Sequence, residues 1–481
     1  MKTPVAVGAV VACLLLASTR AEAIPAFARK YETSCETCHT VYPKLTPFGE
    51  AFRRNGYRFP GVDSDFIKQN IVSLGNDAYK DLFPNSVWPS MLPGSVPLAF
   101  GFNGQAIMHP DKTSGGGAAA NGTQFDMSQL VQEAHIWAGG SFDDKLTYWG
   151  EATLSDGGST IEHAQVLWND IVGPKHAVNL VVGKGFATLS SFGPHSAYAA
   201  DLMTPATPVT ALYGAKSDPW NTGSSYMGAE VNGVVAGRFD YSLGLNSSTN
   251  IDARPSDSVY GHLGYKLGGS QLDGEGESGL ADPKQPWQET ALTLDLWTYK
   301  ATSRITDVNS FSQPDNNLAF GLGVRGQYKS LELDLGGYLD GHKHAYPLTT
   351  DGSANGSAVN ATVAYAELSY IVYPWLVPAV RVESTSLDAV IDTAGTHQKV
   401  SDLRIMPTLA MLVRPNIRVI LSGLLESANG APVYSVVDAT GTAVPTTGNW
   451  SAANGQSAPA DDKTSVKTEL EQIQLSMAYA F

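Results

Sequence analysis

From about residue 96 to the C-terminus, apolar and polar side chains alternate in segments of roughly ten to sixteen residues, the period of a strand whose two faces meet different solvents. The alternation predicts strands near 96–109, 125–141, 144–156, 159–171, 176–188, 223–236, 237–247, 257–268, 287–302, 317–329, 330–340, 358–373, 375–386, 402–414, 415–427 and 468–481. That is about sixteen, an even number, as closed bacterial barrels require. In the last segment Ile473, Leu475, Met477, Tyr479 and Phe481 fall on one side, and Gln472, Gln474 and Ser476 on the other. Leu331, Leu333, Leu335 and Leu339 alternate in the same way with Glu332, Asp334, Tyr338 and Asp340. A carboxylate in mid-strand is costly against lipid, so the polar face reads as a wet lumen and the apolar face as the lipid side.

The connections carry a second, independent pattern. Barrels have short turns on one rim and long loops on the other. Tight turns fall at Asp143-Asp144, Gly173-Pro174, Gly237, Lys329-Ser330, Tyr373-Pro374 and Pro415-Asn416, which are even-numbered connections, while 189–222, 341–357, 387–401 and 428–467 are long, polar and odd-numbered. The eighth connection, 269–286, is long where a tight turn is expected, as a miscounted hairpin would make it. The fold class expected is all-β: a transmembrane antiparallel barrel of about sixteen strands behind a small N-terminal helical module.

Ahead of the barrel the period changes. Thr46-Pro47 reads as an N-cap with proline at the first helical position, Phe48, Ala51 and Phe52 follow at helical spacing, and Asn55-Gly56 stops the helix. A proline-bearing tether, Pro84 to Pro97, leads into the first strand. The chain begins with Lys2, an apolar run from Val5 to Ala17 and a small-x-small pattern at Ala21-Glu22-Ala23, the signature of a secretory signal peptide. Val10-Val11-Ala12-Cys13 offers a rival lipoprotein cut, against which the apolar run continues through Leu16. The expected division is therefore 1–23 signal peptide, 24–95 helical module and tether, and 96–481 barrel.

Composition narrows this picture. After the signal no stretch approaches the ~20 apolar residues of a membrane helix. A mean hydropathy of -0.10 with 48 Gly, 20 Tyr, 16 Phe and 9 Trp suits alternating strands. A soluble β-sandwich would also alternate, but gives no reason for Trp137, Tyr148, Trp149, Trp168, Trp297, Tyr299, Tyr370 and Trp375 near strand ends, where a membrane girdle wants aromatics. A net charge of -15 argues against a nucleic-acid partner. Of three cysteines, Cys13 leaves with the signal peptide, so the mature chain keeps only Cys35 and Cys38.

Those two sit in Cys35-Glu36-Thr37-Cys38-His39. Cys-x-x-Cys-His attaches haem c: the thiols add to two vinyl groups and His39 becomes an axial iron ligand. A zinc site would need about four ligands and would have to recruit distant histidines. A thioredoxin-like pair wants a βαβ context, which is absent here. For the sixth iron position Ser90-Met91-Leu92-Pro93 resembles a methionine loop, although Met91 equally suits an apolar tether residue; Met108, His109 and His135 are alternatives if the haem lies in the lumen. His342 and His344, with Asp340, form an acidic His-x-His cluster in a long odd-numbered loop, a candidate cation site or simply a solvated loop. Asp295, Glu332, Asp334 and Glu383 are lumen carboxylates able to attract cations, as ordinary porin polarity also explains.

Residues Ile24 to Tyr31, the Cys-x-x-Cys-His motif, Tyr42-Pro43-Lys44-Leu45-Thr46-Pro47-Phe48-Gly49 and Asn55-Gly56-Tyr57 resemble the start of the fused outer-membrane cytochrome–porins of iron-oxidising bacteria. The likeness is sharp over residues 24–60 and architectural beyond them, and the residues it carries over are Cys35, Cys38 and His39 alone. It implies one covalent haem c in the outer membrane, oxidation of extracellular Fe(II), and transfer of the electron to a periplasmic c-type cytochrome or other carrier. A single haem reached from both sides belongs within the barrel, near its periplasmic half. Export of electrons to an external acceptor, and a porin whose haem is structural or sensory, are the competing readings. No hydrolytic motif or phosphate-binding glycine loop emerges.

Overall fold

The computed structural model describes residues 26–42, 44–61, 63, 67, 72–73, 91–92, 97–110, 123–142, 145–155, 157–192, 198, 225–247, 257–275, 287–306, 312–346, 357–390, 397–429, 434–437, 443–445 and 469–480. Sixteen antiparallel barrel strands follow one another in chain order: β1 (Leu98–His109), β2 (Glu133–Ser141), β3 (Leu146–Ser155), β4 (Gly158–Trp168), β5 (Asn179–Phe186), β6 (Ser225–Val235), β7 (Phe239–Ser247), β8 (Asp257–Gly268), β9 (Glu289–Thr306), β10 (Ser312–Lys329), β11 (Leu331–Tyr346), β12 (Ser357–Tyr370), β13 (Leu376–Val390), β14 (His397–Arg414), β15 (Ile417–Asn429) and β16 (Glu469–Ala480). The ladder closes between β16 and β1, where Ile473 faces Met108 and Ala480 faces Gly101. The segment 125–141 is not one regular strand: Gln124–Asp126 pairs with the far part of β1 and β2 with the near part, with a bulged stretch between them. Closure leaves no strand edge unpaired in the ring, the condition for backbone to lie against lipid.

Burial follows the alternation along β9, β11 and β16. Along β9, Ala291, Thr293, Asp295, Trp297 and Tyr299 are buried while Leu292, Leu294 and Leu296 are exposed. Leu331, Leu333, Leu335 and Leu339 point out of β11, while Glu332, Tyr338 and Asp340 are buried. In β16 Leu475 and Met477 are exposed and Gln474 is buried; Phe481 lies outside the described residues. An exposed leucine belt around a closed barrel is the surface of a lipid-facing wall. No helix among the described residues is long and apolar enough to cross a membrane. Four of the expected girdle aromatics face inward instead: Trp137, Trp149, Trp297 and Tyr299 share the lumen side with Glu151 and Asp295, whereas Trp168, Tyr370 and Trp375 face out.

Three short helices precede the barrel: α1 (Ala26–Tyr31), α2 (Cys35–Cys38) and α3 (Pro47–Arg54). They lie inside its short-turn end, because their contacts run around the wall. Lys30 reaches Ser141 at 2.9 Å, Arg58 reaches Asp170 at 3.0 Å, and Arg418 donates to the Tyr42 carbonyl at 2.9 Å. Lys44, wholly enclosed, pairs with Glu332, with Asp334 at 3.1 Å and with Glu367 at 3.6 Å. Burial alone would lower the Lys44 pKa, but the carboxylates of Asp334 and Glu332 raise it, so the ammonium stays charged.

The eighth connection is not a miscounted hairpin, since β8 and β9 pair directly, with Gly268 opposite Ala291. Its described part, 269–275, folds under the module and holds it. Asn55 donates to the Asp273 carbonyl at 2.9 Å, the Gly61 amide donates to Glu275 at 3.1 Å, and a Cβ on Gly274 would crowd Pro60 and Ala51. From the other end, the described start of the long β5–β6 connection also enters the lumen: Leu189 is buried against Tyr260 and Trp297, and Tyr198 meets Thr40 at 2.6 Å.

Candidate functional site

The Cys-x-x-Cys-His segment is a single helical turn that the following helix clamps. His39 donates its amide to the Cys35 carbonyl at 2.9 Å, and the Thr46 amide donates to the Cys38 carbonyl at 2.9 Å. Thr46 then caps α3: its Oγ1 accepts from the Gly49 amide at 3.2 Å while its hydroxyl donates to the Thr37 carbonyl at 2.8 Å. Gly49 is required by the approach of the two elements, since a Cβ there would overlap the Cys38 carbonyl oxygen. The Thr-Pro-Phe-Gly string therefore serves the cysteine turn as much as the helix.

Cys35, Cys38 and His39 line one cavity of about 1010 Å³ between module and wall. That is the upper end of the ~300–1,000 Å³ range of cofactor sites. Phe27, Leu45, Phe52 and Tyr57 line it from the module, and Trp137, Trp149 and His135 from the strands. Phe27 stacks on Tyr57 at 5.5 Å between centroids and on Trp149 at 5.9 Å, so the aromatic lining runs continuously from plug to wall. At one end the cavity meets Pro415 and Asn416 in the tight β14–β15 turn, and at the other Trp297 and Tyr338. Trp297 is eight residues along β9 from Glu289 (297 − 289), roughly 27 Å of strand at ~3.4 Å per residue.

The two cysteines are not joined to one another. Burial pushes the Cys38 thiol up to about 12, helped by the neighbouring Cys35, and raises the Cys35 thiol as well. A redox or nucleophilic thiol of a disulfide-exchange centre needs the opposite, an electropositive setting that favours thiolate. Two un-bridged thiols, an imidazole, a large aromatic cavity and the guanidinium groups of Arg53 and Arg418 on its border fit a haem with its two vinyl and two carboxylate edges.

The other residues marked by the sequence are distributed as follows. His135 borders the same cavity; it stacks on Trp137 at 5.2 Å and lies 3.3 Å from Glu151 and 3.5 Å from Glu133. Met108 and His109, on the outer part of β1, do not border it. Met91 is described as backbone, paired with Ser73; its side chain lies outside the described residues. His342 is not in a loop. β11 runs on to Tyr346, so His342 is buried inside the barrel between Asp315 and Asp340, while the side chain of His344 lies outside the described residues. The polar composition of 341–346 concealed the strand, because beyond the lipid belt a strand needs no apolar face. Of the four lumen carboxylates, Glu332 and Asp334 are taken by Lys44 and Arg325, and Glu383 by Arg381. Asp295 has no Lys or Arg partner among the described residues and meets His262 at 2.8 Å.

No family model and no curated protein matches this chain. Solved structures similar to it include an anion-selective porin from Comamonas acidovorans (10% identity, TM-score 0.48, 80% of this chain and 99% of that one). The outer-membrane protein OmpT of Vibrio cholerae is similar at 9% identity and TM-score 0.46 (80% and 97%), and Salmonella typhi OmpF at 11% and 0.44 (80% and 97%). These are likenesses of barrel to barrel, and the barrel of this chain stands on its own closed ladder of pairings.

Two clusters escaped the sequence. Glu151, Glu162 and His163 converge because a bulge in β4 opposite Glu151 brings two consecutive residues to one site. Asp240, His262 and Asp295 converge across β7, β8 and β9. Their inward positions are legible in the alternation, but which residues stand abreast depends on register, and register is set by turns and bulges rather than by the pattern itself.

Proposed function

We propose that this chain is an outer-membrane electron conduit that oxidises extracellular Fe(II) and hands the electron to a periplasmic cytochrome or similar carrier. The observation that carries the reading is the position of Cys35, Cys38 and His39, on a cavity enclosed within a lipid-facing barrel. Cys35 and Cys38 would hold haem c by thioether bonds and His39 would ligate its iron; so bound, the group would supply a one-electron carrier inside the barrel.

The chain's own residues do the rest. Phe27, Leu45, Phe52 and Tyr57 offer a bound haem an apolar and aromatic face on the module side. Lys44, Arg58 and Arg418 lock the module to strands and turns on several sides. The module and the inturned 187–192 segment occupy the lumen together, which supports a conduit over a passive porin. Outer-membrane placement follows from the closed barrel and its exposed apolar belt.

The chemical test is stoichiometry. Purified mature protein is expected to give one haem per chain in the pyridine haemochrome assay, retained after acid–acetone extraction because it is covalent, and none in Cys35→Ala/Cys38→Ala. A mature wild-type protein without covalent haem would overturn the proposal.

A further inference from the structure

We infer that Asp240, His262 and Asp295 form a binding site for a divalent first-row transition-metal cation on the lumen wall. The three stand on adjacent strands, with Asp240 opposite Gly264 and Gly264 opposite Asp295. Their ligand atoms lie within 4.8 Å of one another, and the residues are 6%, 2% and 4% exposed. Gly264 keeps the space between them open: a Cβ there would overlap Asp240 Oδ1 and Ser191 Oγ and come within 3.0 Å of Asp295 Oδ1.

The local hydrogen bonding is incomplete in the way a cation would complete it. Ser191 Oγ lies 2.8 Å from Asp240 Oδ1 and 2.6 Å from Asp295 Oδ1, yet a hydroxyl has one proton and serves one of them. Asp295 Oδ2 is buried without a hydrogen-bond partner among the described residues. Arg54 sits 3.3 Å from Asp240 Oδ2 and offsets one carboxylate charge; the second, on Asp295, meets among the described residues only the Ser191 amide and hydroxyl and the His262 ring. Elsewhere on the lumen wall, Glu289 has Lys266 and Glu383 has Arg381. A buried carboxylate without such a partner is expensive.

One imidazole, two carboxylates and a nearby hydroxyl make a nitrogen–oxygen donor set suited to Fe(II), Mn(II) or Zn(II), and not to the soft Cu(I). The site borders the same cavity as His39, but the inference stands whether or not the cysteine motif carries haem.

The probe is Zn(II) alone, titrated calorimetrically into chelator-stripped, detergent-solubilised mature protein. The expected result is one tight equivalent for the wild type and for His163→Gln, with at least a tenfold loss of affinity in His262→Gln and Asp295→Asn. Absence of stoichiometric binding to the wild type, or wild-type affinity in both variants, would overturn the site and leave a buried histidine–aspartate hydrogen bond in its place. Should the variants not yield heat-modifiable folded barrels, wild-type crystals soaked in Zn(II) decide it. An anomalous peak between Asp240, His262 and Asp295 supports the site, and zinc peaks only elsewhere refute it.

Discussion

A methyl group at position 49 would overlap the carbonyl oxygen of Cys38, and that carbonyl is the acceptor for the Thr46 amide. Gly49→Ala is therefore expected to cost about 1–3 kcal/mol, the usual range for forcing atoms into a packed site. The loss should appear as faster hydrogen exchange at Thr46. Gly150→Ala is the matched control, since its Cβ would meet nothing nearer than 3.6 Å; equal effects of the two would contradict the close-approach account. Much at this scale was legible in the sequence: the capping threonine, the proline after it and the cysteine motif each announce a local geometry. The role of Gly49 was not, because a close approach between two elements leaves no trace in either one's own pattern. The same limit hid the setting of Lys44, since nothing in its own neighbourhood of the sequence announces the three carboxylates from β11 and β12 that enclose it.

Among the elements, the eighth connection repays its anomalous length. Burial pushes the Glu275 carboxyl toward its neutral form, but hydrogen bonds from Lys175, His176 and the Gly61 amide outweigh it and hold its pKa at about 2. Its unfolded value is near ~4.3. A depressed folded value means that the clasp contributes fully above the unfolded value and is lost as pH falls through about 2. Protection of residues 26–61 against hydrogen exchange should thus weaken between pH ~4.3 and ~2 in the wild type. Glu275→Gln, compared at each pH, should lack that step, and coincident profiles would remove the clasp from the account. The strands themselves were read almost in full, because lipid outside and polar groups inside impose period two on every one of them. What the alternation does not supply is register. Aromatic type alone suggests a girdle for Trp297 and Tyr299, whereas their parity with Asp295 puts them on the lumen face, and the polar end of β11 hides that the strand carries His342 inside.

At the scale of the whole molecule, a barrel of sixteen strands ordinarily encloses an aqueous channel. Here a helical module fills the short-turn end, and residues 187–192 with Tyr198 enter from the opposite side to meet it. Single-channel conductance in planar bilayers is expected to be low for the full mature chain and to rise several-fold when residues 24–95 are deleted. A full chain that conducts as freely as the deletion would return the passive-porin reading.

Passage of electrons from outside through one covalent haem in this lumen, as proposed, would be visible in the absorption spectrum. The purified mature protein, reconstituted anaerobically in liposomes, is followed by absorption while Fe(II) is added outside. The account predicts bands of one c-type haem per chain that shift to the reduced form; haem bands that stay oxidised, or no haem bands at all, would contradict it.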